Sequence, residues 1–202
     1  MISSKELYAF LKSKKLLDNS PKWWWPNAGS FEVVVGAILT QNTTWKNVEK
    51  SLENLEGFLE LTAFSNLDEA TLKEMIKPSG FYNQKAPRLL TLSTNILNEF
   101  GTFEAFQKMV SRDWLLAQKG VGEESADAIL CYACLRDEMV VDSYTKRLLK
   151  KFDVSFKKYE EYKEFLESDF RKEFNKAELF EIFAAFHGMI VEYNKYYKNE
   201  LL

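Results

Sequence analysis

LLAQKGVGEESADAILCYACLRDEMVVDSYTKRLL, residues 115–149, decides the fold. Leu115 and Leu116 precede Gly120-Val121-Gly122, and Ala126, Ile129, Leu130 and Ala133 follow at helical spacing, so the stretch reads helix, hairpin, helix. Glycines permit a turn that side chains exclude. In such a hairpin the amides of Gly120, Gly122 and the first residues of the next helix, up to Ser125, converge with a helix's positive end, which suits a phosphate oxygen. Contacts of this kind read no base sequence. A GVG tripeptide alone is weak evidence and fits an ordinary helix-to-helix turn better. The aspartate of VVDSY, Asp142, adds a carboxylate at a set distance and changes that reading.

QKGVGEESA (residues 118–126) followed by VVDSY (140–144), together with GAILTQNTTWKNV (36–48) and GFYNQKAPRL (80–89), resembles the helix-hairpin-helix DNA glycosylases of the endonuclease III superfamily, in that family's order. The resemblance implies an all-α, two-lobed fold. Residues 27–137 would form a central helical barrel with the hairpin, residues 1–26 plus 138–202 a second helical lobe, and the active-site cleft would lie between them. It further implies that Asp142 is the catalytic carboxylate, and that Gln41 and Phe81 enter the space a flipped base leaves. Hairpins of this family often hold Na+ or K+ on main-chain carbonyls, here those of Leu116, Gln118 and Val121.

Two departures narrow the resemblance. Where strand-cleaving members place a Schiff-base lysine this chain has Glu124, and a carboxylate is not an amine nucleophile. The endonuclease III branch binds an iron–sulfur cluster through four cysteines, whereas this sequence has only Cys131 and Cys134, so no such cluster is expected. With Trp23-Trp24-Trp25-Pro26 near the start and Phe186-His187-Gly188 near the end, the chain looks most like the bacterial 3-methyladenine DNA glycosylase III group. Met189 stands where close relatives are expected to carry lysine. The implied activity is hydrolysis of alkylated purines from damaged double-stranded DNA, in base excision repair, by a monomer. Two competing readings are an endonuclease III-like lyase on oxidised pyrimidines and a non-catalytic DNA-structure-binding protein.

Composition sets bounds independently. The 202 residues, 46% hydrophobic, suffice for a substantial core, and 8 glycines with 4 prolines favour helix throughout. No apolar run reaches membrane-spanning length and nothing resembles a secretion signal, so a soluble, cytoplasmic protein is expected. A net charge of −3 argues against coating DNA by bulk electrostatics, leaving binding to a local patch. Cys131 and Cys134, three apart on a helix, read as buried small residues.

Ser3-Ser4-Lys5-Glu6 offers a capping box for a helix that turns Leu7, Phe10 and Leu11 inward. Ser30 precedes a β-branched run, Phe31, Val34, Val35, Ile38 and Leu39, compatible with a buried helix. Further helical patterns contain Trp45, Val48, Leu52 and Leu55; Leu72, Met75 and Ile76; Ala86, Leu89, Leu90 and Ile96; and Phe103, Phe106 and Met109. Beyond Asp142 come Leu148 and Leu149, then Tyr162, Phe165 and Leu166, then Leu179, Ile182, Phe183, Phe186 and Ile190. The charged tract from Lys157 to Lys172 reads as a surface face.

Three consecutive indoles do not all face one core, so at least one should be exposed or line a pocket. Trp24, Trp25, Pro26 and, beyond the Gln41 turn, Trp45 are the candidates to sandwich a cationic N-alkylpurine. Trp24 and Trp25 pinning the terminus to the body is an equal alternative. Asp142 can stabilise an oxocarbenium-like sugar or activate water, and can also cap the helix starting near Ser143. Gln41 also fits a helix-terminal side chain bonded to nearby backbone, and Phe81 a core residue. His187, the single histidine, reads as a satisfied packing residue. Lys195 can reach pocket or phosphate, although YNKYYKNE (193–200) reads more simply as a solvated end.

Overall fold

The computed structural model describes residues 2–197, and among them every regular element is helical. In chain order these are α1 (Ser4–Ser13), α2 (Phe31–Leu39), α3 (Trp45–Asn54), α4 (Leu61–Ser65), α5 (Glu69–Met75), a 3-10 turn (Lys77–Ser79), α6 (Tyr82–Phe100), α7 (Phe103–Met109) and α8 (Arg112–Leu116). Then follow α9 (Glu123–Ala128), a π segment (Ile129–Ala133), α10 (Ser143–Lys151), α11 (Tyr159–Arg171) and α12 (Lys176–Tyr196). The chain divides into two compact units, residues 29–129 and residues 1–28 with 130–202. The last three residues of YNKYYKNE lie outside the described residues.

Unit 29–129 is built around α2, in which Phe31 and every residue from Val33 to Leu39 are buried. A β-branched run that apolar can sit inside a core only if its own backbone bonds are closed, and a helix closes them without a partner strand. α3, α6 and α9 pack against α2. Phe103 and Phe106 stack at 5.9 Å, but Met109, read as inward, is 61% exposed. Steps of three advance 300° per residue triplet, so a run at that spacing drifts off the buried stripe. The buried Asp127 of α9 is paired with Arg112 of α8 at 2.7 Å, which ties the hairpin's two helices together.

The other unit packs α1, α10, α11 and α12 around Leu7, Leu11, Leu148, Leu149, Leu166, Phe183, Phe186 and Ile190. The capping box at the start of α1 forms, with Glu6 N–H donating to Ser3 Oγ at 3.2 Å. The charged tract, read as surface, differs. Within α11 Lys163 and Glu167 are buried, Lys163 bonded to Glu138 and Glu167 to Arg171 at 2.8 Å. Arg171 reaches Asp137 Oδ2 at 2.7 Å and Met139 N–H donates to Glu167 Oε1 at 2.8 Å. Thus α11 turns a charged stripe inward to hold the segment before Asp142. Truncating Asp127 to alanine should destabilise the fold by about 3 kcal/mol, because Arg112 loses its buried counter-ion; urea unfolding of Asp127→Ala measures it.

Candidate active site

Val140 and Val141 are β-branched and lie outside any helix, and among the described residues no strand pairs with them. Their neighbourhood is satisfied by side chains instead, Met139 N–H by Glu167 and Val141 N–H by Tyr159 Oη at 3.1 Å. This delivers Asp142 to the N-cap of α10. Thr145 N–H donates to Asp142 Oδ1 at 2.7 Å and Thr145 Oγ1 donates to the same oxygen at 2.9 Å, while Asp142 N–H returns to Thr145 Oγ1 at 3.4 Å. Asp142 therefore caps its helix, and the side chain is only 13% exposed. Its second oxygen, Oδ2, faces His187 Nε2 at 3.5 Å, an electrostatic contact too long for a formed hydrogen bond. Burial pushes the carboxyl's pKa up, but His187 and the two Thr145 donors outweigh it and hold the group below its ordinary 3.8.

The three indoles separate. Trp23 meets Phe180 edge-on at 5.3 Å with Lys22 over its face. Trp25 is buried and tilted against Tyr132, centroids 5.2 Å apart. Trp24, half-buried and left-handed (φ 64°), packs on α12, its Nε1 donating to Glu192 at 2.9 Å and its ring standing edge-on to His187 at 5.2 Å. Glycine at 188 is required there: a Cβ would lie 2.5 Å from Trp24 Cγ. Lys195 Nζ bonds Glu192 at 2.8 Å and lies 5.9 Å from the Trp24 ring centroid. The structure thus assembles Trp24, Trp25, Asp142 and Lys195 in one unit and adds three residues the sequence did not single out for chemistry: His187, Tyr132 and Glu192. Met189 is buried in the core of that unit. Pro26 follows, half-buried.

In unit 29–129 the hairpin turns at Gly120, φ +87°, with Arg88 laid so closely over it that a Cβ has no room. Gly122 is different: it is extended, and a Cβ there would meet nothing. Glycine at 122 keeps the outer surface open instead of permitting the turn. Gln41 reaches the hairpin, its Nε2 donating to Gly120 O and to Ser125 Oγ, both at 2.9 Å. The Gln118 carbonyl accepts Val121 N–H at 3.1 Å, so a cation on the Leu116, Gln118 and Val121 carbonyls would use its second lone pair. Beside the hairpin, Arg88, Lys119, Asn83 and Gln84 line a groove of about 300 Å³, the local basic patch in an acidic protein.

Phe81 is displayed at 57% exposure in a left-handed conformation, φ 49°, where a core residue would be covered. Lys85, one turn on, is buried. Its Nζ donates to Leu39 O at 2.7 Å and Ser79 O at 2.9 Å, tying together the turns that carry Gln41 and Phe81, and burial lowers its pKa to about 8. Trp45 opens α3, half-buried, with Nε1 donating to Glu49 at 2.9 Å. No group of three or more His, Cys, Asp or Glu among the described residues is placed to hold a metal. Cys131 is buried, and burial pushes the Cys134 thiol up to about 12.

A helix-hairpin-helix beside a groove of basic side chains, and a nearly buried carboxylate at a helix cap, fit an enzyme that excises bases from DNA. The chain belongs to the HhH-GPD superfamily of base excision DNA repair proteins, whose model matches residues 35–172. It is a DNA N-glycosylase. The structure of H. pylori 3-methyladenine DNA glycosylase bound to 1,N6-ethenoadenine superposes with a TM-score of 0.92, at 46% identity, over 99% of this chain and 100% of that one. A Methanocaldococcus jannaschii protein described as a candidate DNA repair glycosylase is 45% identical over 181 residues, 85% of this chain and 80% of its own length. An endonuclease III bound non-covalently to DNA shares the fold at 18% identity, TM-score 0.75, covering 97% of this chain and 87% of that one. No helix among the described residues is long and apolar enough to cross a membrane.

Two outcomes check the site. Because Asp142 titrates lower when folded, its stabilising contribution is complete above 3.8 and disappears as pH falls through the folded value. The stability gap between wild type and Asp142→Asn should therefore hold from neutral pH down to about 4 and narrow only as pH falls further, followed by urea midpoints. Gly188→Ala should displace Trp24 and cost about 1–3 kcal/mol, visible as a change in tryptophan emission together with a lower melting temperature.

Proposed function

We propose that this glycosylase excises alkylated purines such as 3-methyladenine by hydrolysis alone, leaving an abasic site in an uncut strand. The observation that supports the reading most is a carboxylate held ionised while only 13% exposed, in the same unit as two indoles. Extrahelical capture of a base costs a few kcal/mol of unstacking. A cationic N-alkylpurine recovers part of this on indole faces, about 0.5–2 kcal/mol per contact. Such a base leaves without being protonated, so the chemistry asks for an anion beside the developing sugar cation and little else. Asp142 supplies it. The similarity to the H. pylori enzyme points to the same substrate class.

The backbone would be gripped at Gly120, Gly122 and Ser125, with Arg88 and Lys119 adding charge that Glu123 and Glu124 do not. Gln41 and exposed Phe81 would fill the vacated step, an aromatic wedge being a common device. Gln41 must first leave Gly120 and Ser125, so hairpin engagement and insertion are linked through one side chain. Glu124, in place of an amine, supports hydrolysis over lyase chemistry.

Product analysis on alkylated and oxidised duplexes tests the reading. Wild type should release 3-methyladenine, form no borohydride-trapped adduct, and lose at least about a hundredfold in single-turnover rate in Asp142→Asn with DNA affinity kept. Release of oxidised pyrimidines alone, or a trapped adduct, would overturn it.

A further inference from the structure

We infer that His187 carries a proton on Nε2 and presents it to Asp142 Oδ2, making His187 the positioning residue for the carboxylate, with Tyr132 Oη as the partner of its Nδ1. The inference rests on the proposed role of Asp142.

His187 is 3% exposed, and its Nε2 is buried with no hydrogen-bond partner in the resting geometry. Its Nδ1 lies 2.8 Å from Tyr132 Oη, which also lies 3.0 Å from the Ala184 carbonyl. Tyr132 has one hydroxyl proton and a neutral imidazole one N–H, so the arrangements can be enumerated. If Tyr132 donates to Ala184 and accepts from Nδ1–H, a neutral ring turns a bare Nε2 lone pair toward the ionised carboxylate. Two acceptors then face each other in a dry site. If Tyr132 donates to Nδ1, the ring proton sits on Nε2 and points at Oδ2. Tyr132 Oη then meets the Ala184 carbonyl at 3.0 Å with no proton between them, but both are neutral and the carbonyl keeps the N–H that α12 supplies from four residues on, a smaller cost than a lone pair turned on an ionised carboxylate. An imidazolium satisfies every partner too, and it also bears the Nε2 proton. Only a protonated Nε2 avoids turning an acceptor on the ionised carboxylate.

The consequence is orientation. Thr145 holds Oδ1 through two donors, and a donor at Oδ2 fixes the plane of the carboxylate. One lone pair of Oδ2 is then left for the sugar or for water. The contact is long at 3.5 Å, as catalytic hydrogen bonds often are before substrate binds. Trp24 closes the ring's edge, and the charged groups further along α12, Glu192 and Lys195, pair with each other.

His187 is the single histidine, so a protein without an affinity tag gives one imidazole in a 15N-detected spectrum. At neutral pH the spectrum should show a protonated Nε2 whose resonance shifts in Asp142→Asn, and Tyr132→Phe, which leaves Asp142 in place, should keep the proton on Nε2. His187→Leu should slow single-turnover excision on the order of tenfold to hundredfold with DNA affinity unchanged. His187→Gln, which keeps a donor near the Nε2 position, should recover most of that rate. An unprotonated Nε2 in the wild type, full activity in His187→Leu, or a His187→Gln variant no faster than His187→Leu would overturn the inference. The spectrum of the wild type decides the matter even if a variant fails to fold. Undiminished excision by Asp142→Asn would instead overturn the assignment of Asp142 itself.

Discussion

Keeping the Asp142 carboxylate charged while water is nearly excluded from it is the requirement around which the surrounding unit is arranged. Desolvation alone would push its pKa up. Opposing it are an amide and a hydroxyl from Thr145, the start of a helix, and the imidazole of His187. Each comes from an element with its own reason to be there. α10 needs a cap, α12 needs a core-facing residue at that turn, and the non-helical segment before Asp142 needs partners that α11 supplies from Glu167 and Tyr159. The same residue therefore stabilises a helix and is poised for chemistry, so a change at Asp142 touches stability and activity together.

The remaining unit solves a different problem, that of holding a polyanion with an acidic protein. It does so locally. Gly120 makes the turn, Gly122 leaves the surface open, and Arg88 and Lys119 supply charge beside it. Two carboxylates in the first turn of α9 suit that helix's own dipole but not a phosphate. The affinity of this hairpin thus depends more on amide geometry and on neighbouring cations than on the residues that follow its glycines.

Much of this was written in short-range patterns. The Ser3–Glu6 capping box, the buried α2, the hairpin and the cap role of Asp142 depend on residues within a few positions of one another, and each was legible in the sequence. What was not legible depends on distant pairing. Lys163 and Glu167 read as solvent-facing because a charge tract does not say which charges meet Glu138 or Arg171 across the fold. His187 read as packing, and it is buried as that reading expects, but its approach to Tyr132 and Asp142 was not legible because both lie far back along the chain. Gly122 was grouped with Gly120 although only one of them has a left-handed backbone. Met109 followed a spacing of three that a helix does not sustain. The resemblance supplied Gln41 and Phe81, and the structure then removed the core alternative for Phe81 by leaving it exposed.

Lys85 joins the carbonyl ends of two separate turns through one buried ammonium. Amine-directed acylation would pass over it while labelling the lysines on the surface. Modification at Lys85 would then occur only in molecules whose two turns had come apart, so its rate of labelling is a clock for that opening, readable by peptide mass without any substrate or DNA.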